Sequence, residues 1–296
     1  MSTEILQTGM FDINMTTAFD AIKSLEAWLD IKGEDIFNFI SEQKHIYVIN
    51  FLKRFCISDF TILRGTLKLT CLHVTTNDDN CASIRKFGLM NLQDTIRLNT
   101  NMGNYIRSQG IDINIDDKRM EYKGKSYDLS CKADYAMPGS KEFSRNAVIR
   151  KLYEDYQING FFCSRNVLRY GGGISIRPEF LGNLATILED QKIQYNWATP
   201  QNKCYVLKYY ANIDDYEHYT FEVKVPNEQD YIQKKNDYEL QKRKWLIVNA
   251  LTVIFDEMFY ILPEFYSYAK FDTKIPFENI KIYTANEYIE KYNVKN

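Results

Sequence analysis

Several features that would decide a protein's class are scarce in this 296-residue chain. Its six cysteines (Cys56, Cys71, Cys81, Cys131, Cys163 and Cys204) form no CxxC pair and no regular framework. That argues against a disulfide scaffold, and the loose grouping of Cys71, His73 and Cys81 fits no usual zinc spacing, so no metal is expected. Most of the cysteines sit in apolar runs such as FFCS and LTCL and read as reduced, small core residues of a cytoplasmic protein. Neither charge sign is in excess: the formal net charge is −2. A nucleic-acid partner would therefore need a local basic patch. The start, MSTEILQTGMFDINM, lacks a basic segment followed by an apolar block, so no secretory signal is expected. The longest apolar run, WLIVNALTVIF, is too short to span a bilayer and is broken by Asn249. No membrane partner is expected. There is no internal repeat and no low-complexity tract.

What is present supports a packed core: 45% hydrophobic residues, 26% charged, and 15% aromatic with 22 tyrosines and 18 phenylalanines, a balance that disfavours disorder. Residues 16–56 carry helical periodicity. In TTAFDAIKSLEAWLD, Phe19, Ile22, Leu25, Trp28 and Leu29 share one face, and Thr16 or Thr17 is placed to cap it. After Gly33 the pattern resumes with Ile36, Phe39 and Ile40, then Val48, Phe51, Leu52 and Phe55. The expected layout is a helical part over residues 1–60, serving as packing support or as a partner surface, and one larger domain over 61–296.

From Thr66 the period becomes two. Leu67, Leu69, Cys71, His73 and Thr75 share one strand face. NDDNCASIRKFGL follows as a short helix, with Asp78, Asp79 or Asn80 at its start and Gly88 at its end. GIDINIDD and EYKGKSYDLS read as short strands around turns. KEFSRNAVIRKLYEDY reads as a helix, and INGFFCSRN as a buried strand. RYGGGISIR lacks the GKT or GxGxxG pattern of a nucleotide loop and reads as a tight turn between two strands, although Arg169 and Arg177 could flank a phosphate there. Pro178 opens a further helix. KCYVLKYYANI and HYTFEVKVP read as strands, the latter with Glu222 opposite an apolar face of Tyr219, Phe221, Val223 and Val225. DYIQKKNDYELQKRKWLIVNALTVIFDEMF is a long helix whose basic first half reads as a solvated face, with nucleic-acid backbone contact as the other use. EFYSYAKF and KIPFENIKIYT close the chain as two strands. The fold class is α+β.

One stretch asks for more than packing. His73 and Thr75 lie about 7 Å apart on one strand face, a separation suited to holding a ribose and a neighbouring amide or phosphate. The alternative is a buried histidine satisfied by backbone. LHVTTNDDNCASIRKFGLMNL, LYEDYQINGFFCSRN and PEFYSYAKFDTKIPFENIKIY, in that order, resemble three segments of the ADP-ribosyltransferase superfamily, especially the DarT-type toxins and their phage-defence relatives. The resemblance covers roughly residues 66–285. It implies a split β-sheet core with N-terminal and inserted helices, NAD⁺ as co-substrate, and transfer of ADP-ribose to a nucleic acid or protein acceptor. It further implies a toxin role with a probable antitoxin partner. By the same resemblance Glu264 is the catalytic carboxylate. His73 acts with it, and His73 and Thr75 anchor a ribose. Gly88 and Leu89 belong to the NAD⁺ site, and an aromatic (Phe161 or Phe162, where many members have tyrosine, or else Tyr170) stacks on nicotinamide. Glu222 competes with Glu264, and Arg85, Arg97, Arg107, Arg165 and Arg169 are the arginines available for the pyrophosphate. Two other functions fit the same sequence. One is a non-catalytic nucleic-acid or partner-binding module using the N-terminal helices and the polar half of the long helix. The other is an NAD⁺ glycohydrolase with water as acceptor.

Overall fold

A computed structural model describes residues 9–132, 134–164, 166–259 and 263–292. Strand β1 (Met10–Ile13) precedes helices α1 (Ala18–Leu29), α2 (Gly33–Ser41), α3 (Val48–Arg54) and α4 (Asp59–Leu63). Strand β2 (Thr66–Asn77) leads into α5 (Ala82–Phe87), α6 (Leu92–Arg97) and α7 (Asn101–Ser108). Strands β3 (Ile111–Asn114), β4 (Arg119–Tyr122) and β5 (Lys125–Asp128) follow, then α8 (Lys141–Tyr153) and β6 (Asn159–Cys163). Next come α9 (Glu179–Ile187), α10 (Lys192–Tyr195), β7 (Lys203–Asn212), α11 (Glu228–Gln233) and α12 (Lys235–Met258). β8 (Phe265–Tyr268), β9 (Ile280–Thr284) and α13 (Ala285–Tyr292) complete an α+β fold. Among the described residues no helix is long and apolar enough to cross a membrane.

The chain divides into two compact units, and β2 and β7 each contribute residues to both. The first contains residues up to Leu72, Asn159–Arg165 and Tyr209–Ala269. Its strands run in the order β8-β6-β2, with β1 paired in parallel to residues 66–69 of β2. Helix α12 packs against α1, α2 and α4. Thr17 caps α1 by accepting the Asp20 N–H at 3.1 Å. The buried stripe of α1 is Ala21, Ser24, Leu25, Trp28 and Leu29. The expected stripe therefore turns slightly, and Phe19 is left outside at 69% exposed.

The basic first half of α12 is a solvated face only in part: Lys235 is exposed and Lys244 half-buried, but two of its cations turn inward. Lys242 is 1% exposed and Arg243 7%, because both fall on the stripe that continues through Leu246, Ile247 and Ala250. Burial of these cations is tolerated because each finds acceptors. Lys242 Nζ meets Glu239 Oε1 at 2.7 Å. Arg243 donates to the carbonyls of Ile62, Arg64 and Gly65 at 3.0, 3.0 and 2.9 Å. These are carbonyls at and just past the end of α4, where a helix leaves its last acceptors unpaired.

Two expected strands are absent. ISIR coils into a turn in which the Ile176 and Arg177 N–H groups both donate to Gly173 O, at 2.9 and 3.0 Å. The glycine-rich segment thus links β6 to α9 and does not join two strands. HYTFEV forms a 3-10 turn, His218–Phe221, ended by Glu222 in the left-handed region at φ 57°. Its alternation is accidental to that turn: the Val223 N–H closes onto His218 O at 3.2 Å.

The second unit contains His73–Ile158, Asn166–Lys208 and the chain from Lys270. Its strand order is β2-β7-β9, with β3-β4-β5 as a separate antiparallel sheet. That small sheet turns Ile111, Met120 and Tyr122 toward a core shared with Ile149, Leu152, Leu184 and Trp197.

Arg243→Met is expected to lower unfolding stability by about 3 kcal/mol, since three buried carbonyls lose their donor. The adjacent Lys244, which pairs at the surface with Asp59 at 2.9 Å, gives the contrast. Lys244→Gln should change stability by less than about 0.5 kcal/mol. Urea midpoints for the two variants check both values.

Candidate functional site

In the second unit His73 and Thr75 are half-buried on one face of β2, while Val74 and Thr76 between and beyond them are buried on the other. Trp197 Nε1 donates to Thr76 Oγ1 at 2.9 Å, fixing the covered face. The strand then turns sharply through Asn80 and Cys81, both left-handed at φ 52° and 61°. Asn77 Oδ1 holds that turn by accepting the Cys81 N–H at 2.9 Å. Asp79 is the acidic residue at the start of α5: its Oδ2 accepts from the Ser83 N–H at 2.9 Å and from Ser83 Oγ at 2.6 Å.

Gly88 ends α5 at φ +78°, and the reason for glycine is direct. A Cβ there would stand 2.3 Å from Ile275 O. Leu89 and Ile275 exchange both backbone hydrogen bonds at 2.9 Å. Two pieces of sequence, FGL and KIP, therefore meet as one antiparallel bridge, and Pro276 carries the chain into β9. Beside them Arg85 lies over the Phe277 ring at 5.3 Å from its centroid.

The arginines divide by what they already hold. Arg97 pairs with Asp116 and Asp94. Arg107 donates to the carbonyls of Ile96 and Leu98 at 2.8 and 2.9 Å. Arg85 and Arg169 are exposed, and Arg165 lies outside the described residues. Tyr170, in a kinked 3-10 segment, is 43% exposed.

In the first unit β6 pairs antiparallel with β8, Phe161 opposite Tyr266 and Cys163 opposite Phe265. Phe162 is thus an extra residue on β6. Such a bulge re-aims the side chains on either side of it. The Phe162 ring turns inward, 0% exposed, at 5.5 Å from Tyr216 and 5.9 Å from Trp245. Fully enclosed by protein, it presents no face to a ligand. Phe161 is also buried, 5.5 Å from the Tyr266 ring.

Just past the bulge, Ser164 Oγ donates to Glu264 Oε1 at 3.1 Å, and Tyr266 Oη donates to Oε2 at 2.9 Å. Glu264 is exposed at the head of β8. Both of its oxygens are oriented by neutral hydroxyls. Neither Ser164 nor Tyr266 stands out in the sequence. The spacing of Tyr266 two residues after Glu264, on the same strand face, was the available signal. Glu222 is exposed too, but it follows a turn and lies on no strand.

The buried thiols of this unit are muted. Burial pushes Cys163 up to about 12, with Glu257, Asp256 and Glu264 adding to the rise. Burial likewise raises Cys71 to about 12, against the lowering effect of hydrogen bonds from Tyr216, Ser267 and Tyr209. The Cys71 Sγ and Tyr216 Oη atoms are 3.0 Å apart. Among the described residues no group of three or more His, Cys, Asp or Glu side chains is arranged to hold a metal ion. Compared with known proteins, the chain matches no family model, no curated protein and no solved structure.

Gly88→Ala is expected to destabilise the protein by about 2 kcal/mol or more, because the left-handed backbone and the close carbonyl both oppose a Cβ; a thermal melt measures it. Thiol titration with Ellman's reagent at pH 8 should show two fast sites, the exposed Cys56 and Cys131. Cys204, raised by burial to about 11, should react slowly. Cys71 and Cys163 should react only on unfolding, since a thiol at about 12 leaves roughly one thiolate in ten thousand at pH 8. Cys81, buried and raised by that burial, should also stay unreactive in the folded protein. Fast labelling of four or more thiols in the folded protein would contradict that burial.

Proposed function

We propose that this protein is an NAD⁺-dependent mono-ADP-ribosyltransferase of the DarT-like toxin type, built on a split-sheet core. It acts in the bacterial cytoplasm against phage and is held in check by an antitoxin. Nucleic acid is the favoured acceptor class. The observation that carries the reading is the exposed Glu264 carboxylate at the head of β8, gripped on both oxygens by Ser164 and Tyr266. The meeting of Gly88–Leu89 with Ile275 supports it, because it joins two of the three segments on which the resemblance stands.

The chemistry needs little machinery. The bond from the nicotinamide nitrogen to the ribose C1′ breaks, and its electron pair neutralises the pyridinium, so nicotinamide leaves without a general acid. This differs from ordinary glycoside cleavage, which uses two carboxylates. Glu264 stabilises the oxocarbenium-like ribose and accepts the proton lost by the acceptor as its nucleophile bonds to C1′. His73 and Thr75 hold a ribose and position it. The stacking role on nicotinamide goes to Tyr170, whose ring is accessible, and not to the enclosed Phe162. Arg85 or Arg169 serves the pyrophosphate.

The test is incubation with NAD⁺ labelled in the adenine and nicotinamide halves, with single-stranded DNA, RNA and cell protein as acceptors. The wild type should release nicotinamide and carry adenine label onto nucleic acid. Glu264→Gln should lower the rate by ~100-fold or more without changing the melt. Glu222→Gln should leave the rate nearly unchanged. Release of free ADP-ribose alone would make water the acceptor. No nicotinamide release with any acceptor would defeat the reading and leave a binding module.

A further inference from the structure

The strand–helix pair that closes the second unit gathers ammonium groups that the proposed chemistry does not use. Lys281 and Tyr283 are two apart on β9 and so project from one face. Lys291, in the last turn of α13, reaches back to the same ring. Its Nζ donates to Tyr283 Oη at 2.9 Å and lies 5.0 Å from the ring centroid, with Lys281 Nζ at 5.3 Å. Lys208, buried on β7, donates to Tyr292 Oη at 3.2 Å. Lys208 and Lys291 each lie 5.6 Å from the Tyr292 ring centroid.

The carboxylate that could quench this charge is turned elsewhere. Glu287 accepts from the Thr284 N–H at 2.7 Å and from Thr284 Oγ1 at 2.9 Å, capping α13. Among the described residues neither Lys281 nor Lys291 forms an ion pair with a carboxylate. The resulting field is visible on the phenol they share. Burial alone would raise Tyr283, yet the hydrogen bonds and charges of Lys291 and Lys281 leave it below its ordinary value.

Phenols hold ammonium groups in place without neutralising them. Lys281 and Lys291 remain exposed while Tyr283 and Tyr288 beneath them are buried. The patch therefore offers two cations fixed over the buried Tyr283 ring, with Tyr292 half-buried beside them. That suits phosphate oxygens and contact without sequence preference. We propose that Lys281 and Lys291 form a binding locus for the phosphodiester backbone of nucleic acid. That this locus serves to hold the acceptor rests on the transferase reading; the binding itself does not.

The experiment is fluorescence anisotropy of the full chain with a labelled single-stranded DNA and the same sequence as RNA, without NAD⁺, over a salt series. Heparin is the non-nucleic polyanion arm. Lys281→Gln/Lys291→Gln should weaken oligonucleotide binding by ~10-fold at low salt. It should also make the log–log salt slope shallower by about 1.4, the value for two phosphate contacts on a single strand. Lys44→Gln/Lys53→Gln, with the same loss of charge at exposed positions in the α2–α3 connection and on α3, should change neither by a comparable amount. The proposal fails if the wild type does not bind, if both double variants lose affinity equally, or if the lysine pair governs heparin and not the oligonucleotide. Binding through the pair without any NAD⁺ cleavage would sink the transferase reading and leave the locus standing. Transfer unaffected by loss of the pair would leave the transferase reading standing and overturn the acceptor-holding role of the locus.

Discussion

The structure depends on one constraint: β2 is covered on both faces through its middle, so the groups it carries there are apolar or partnered, save the Thr70 hydroxyl, which is buried with no hydrogen-bond partner among the described residues. Residues 69–72 are all buried. Leu69 and Leu72 meet the requirement by being hydrophobic. Cys71 meets it through a phenol, with Tyr216 Oη at 3.0 Å, in a pocket that also includes Tyr209 and Ser267, whose hydroxyl oxygens are 3.5 Å apart. The neighbouring strand adapts to the same constraint. Gly160 on β6 comes so near that a Cβ would stand 2.7 Å from Leu72 O, so glycine there is a matter of space between backbones. Where burial relaxes, on the face of His73 and Thr75, the strand can afford polar groups that a ligand could reach.

A second constraint governs the helices around α12. Buried cations persist there because backbone carbonyls at a helix end need donors as much as the cations need acceptors. Arg243 answers three carbonyls around the end of α4 with one planar group. Arg64 does similar work nearby, its Nε donating to Trp28 O at 2.8 Å at the end of α1. Charge in this protein is thus used inside, to close helix ends, as well as on the surface.

How far the fold could be read in advance follows from these forces. Long segments with one dominant period were legible: α1 to α3, β2, α5 with its terminal glycine, α8, β6, β7 and α12. β1 was not, because four residues, MFDI, are too short to show a period. HYTFEV has the alternation of a strand, but Thr220 Oγ1 bonds to Tyr268 O at 3.0 Å and Glu222 takes a left-handed backbone. Local hydrogen bonding overrode pattern there. Lys242 and Arg243 misled for a different reason. Arg243 is satisfied by carbonyls of Ile62, Arg64 and Gly65, which no local window contains. Lys242 finds its acceptor three residues away in Glu239, but helical spacing alone does not say that the pair is covered. In the same way, Phe162 looked available because its enclosure depends on a bulge and on Tyr216 and Trp245.

The same bulge bears on the carboxylate. Without the extra residue, alternation along β6 would continue unbroken and Ser164 would fall out of register with Glu264. With it, Ser164 approaches one oxygen while Tyr266, two residues along β8, takes the other. Both partners are neutral. An ammonium or guanidinium in either place would orient the carboxylate equally well but would cancel the charge that a developing cationic ribose needs. Hydroxyls orient without cancelling. An exposed carboxylate held in one geometry with its charge intact is of little use to folding, since surface carboxylates contribute little whether ordered or not. It is what a reaction through a cationic transition state requires, which is why Glu264, more than the exposed Glu222 at the end of its 3-10 turn, gives the transferase proposal its physical footing.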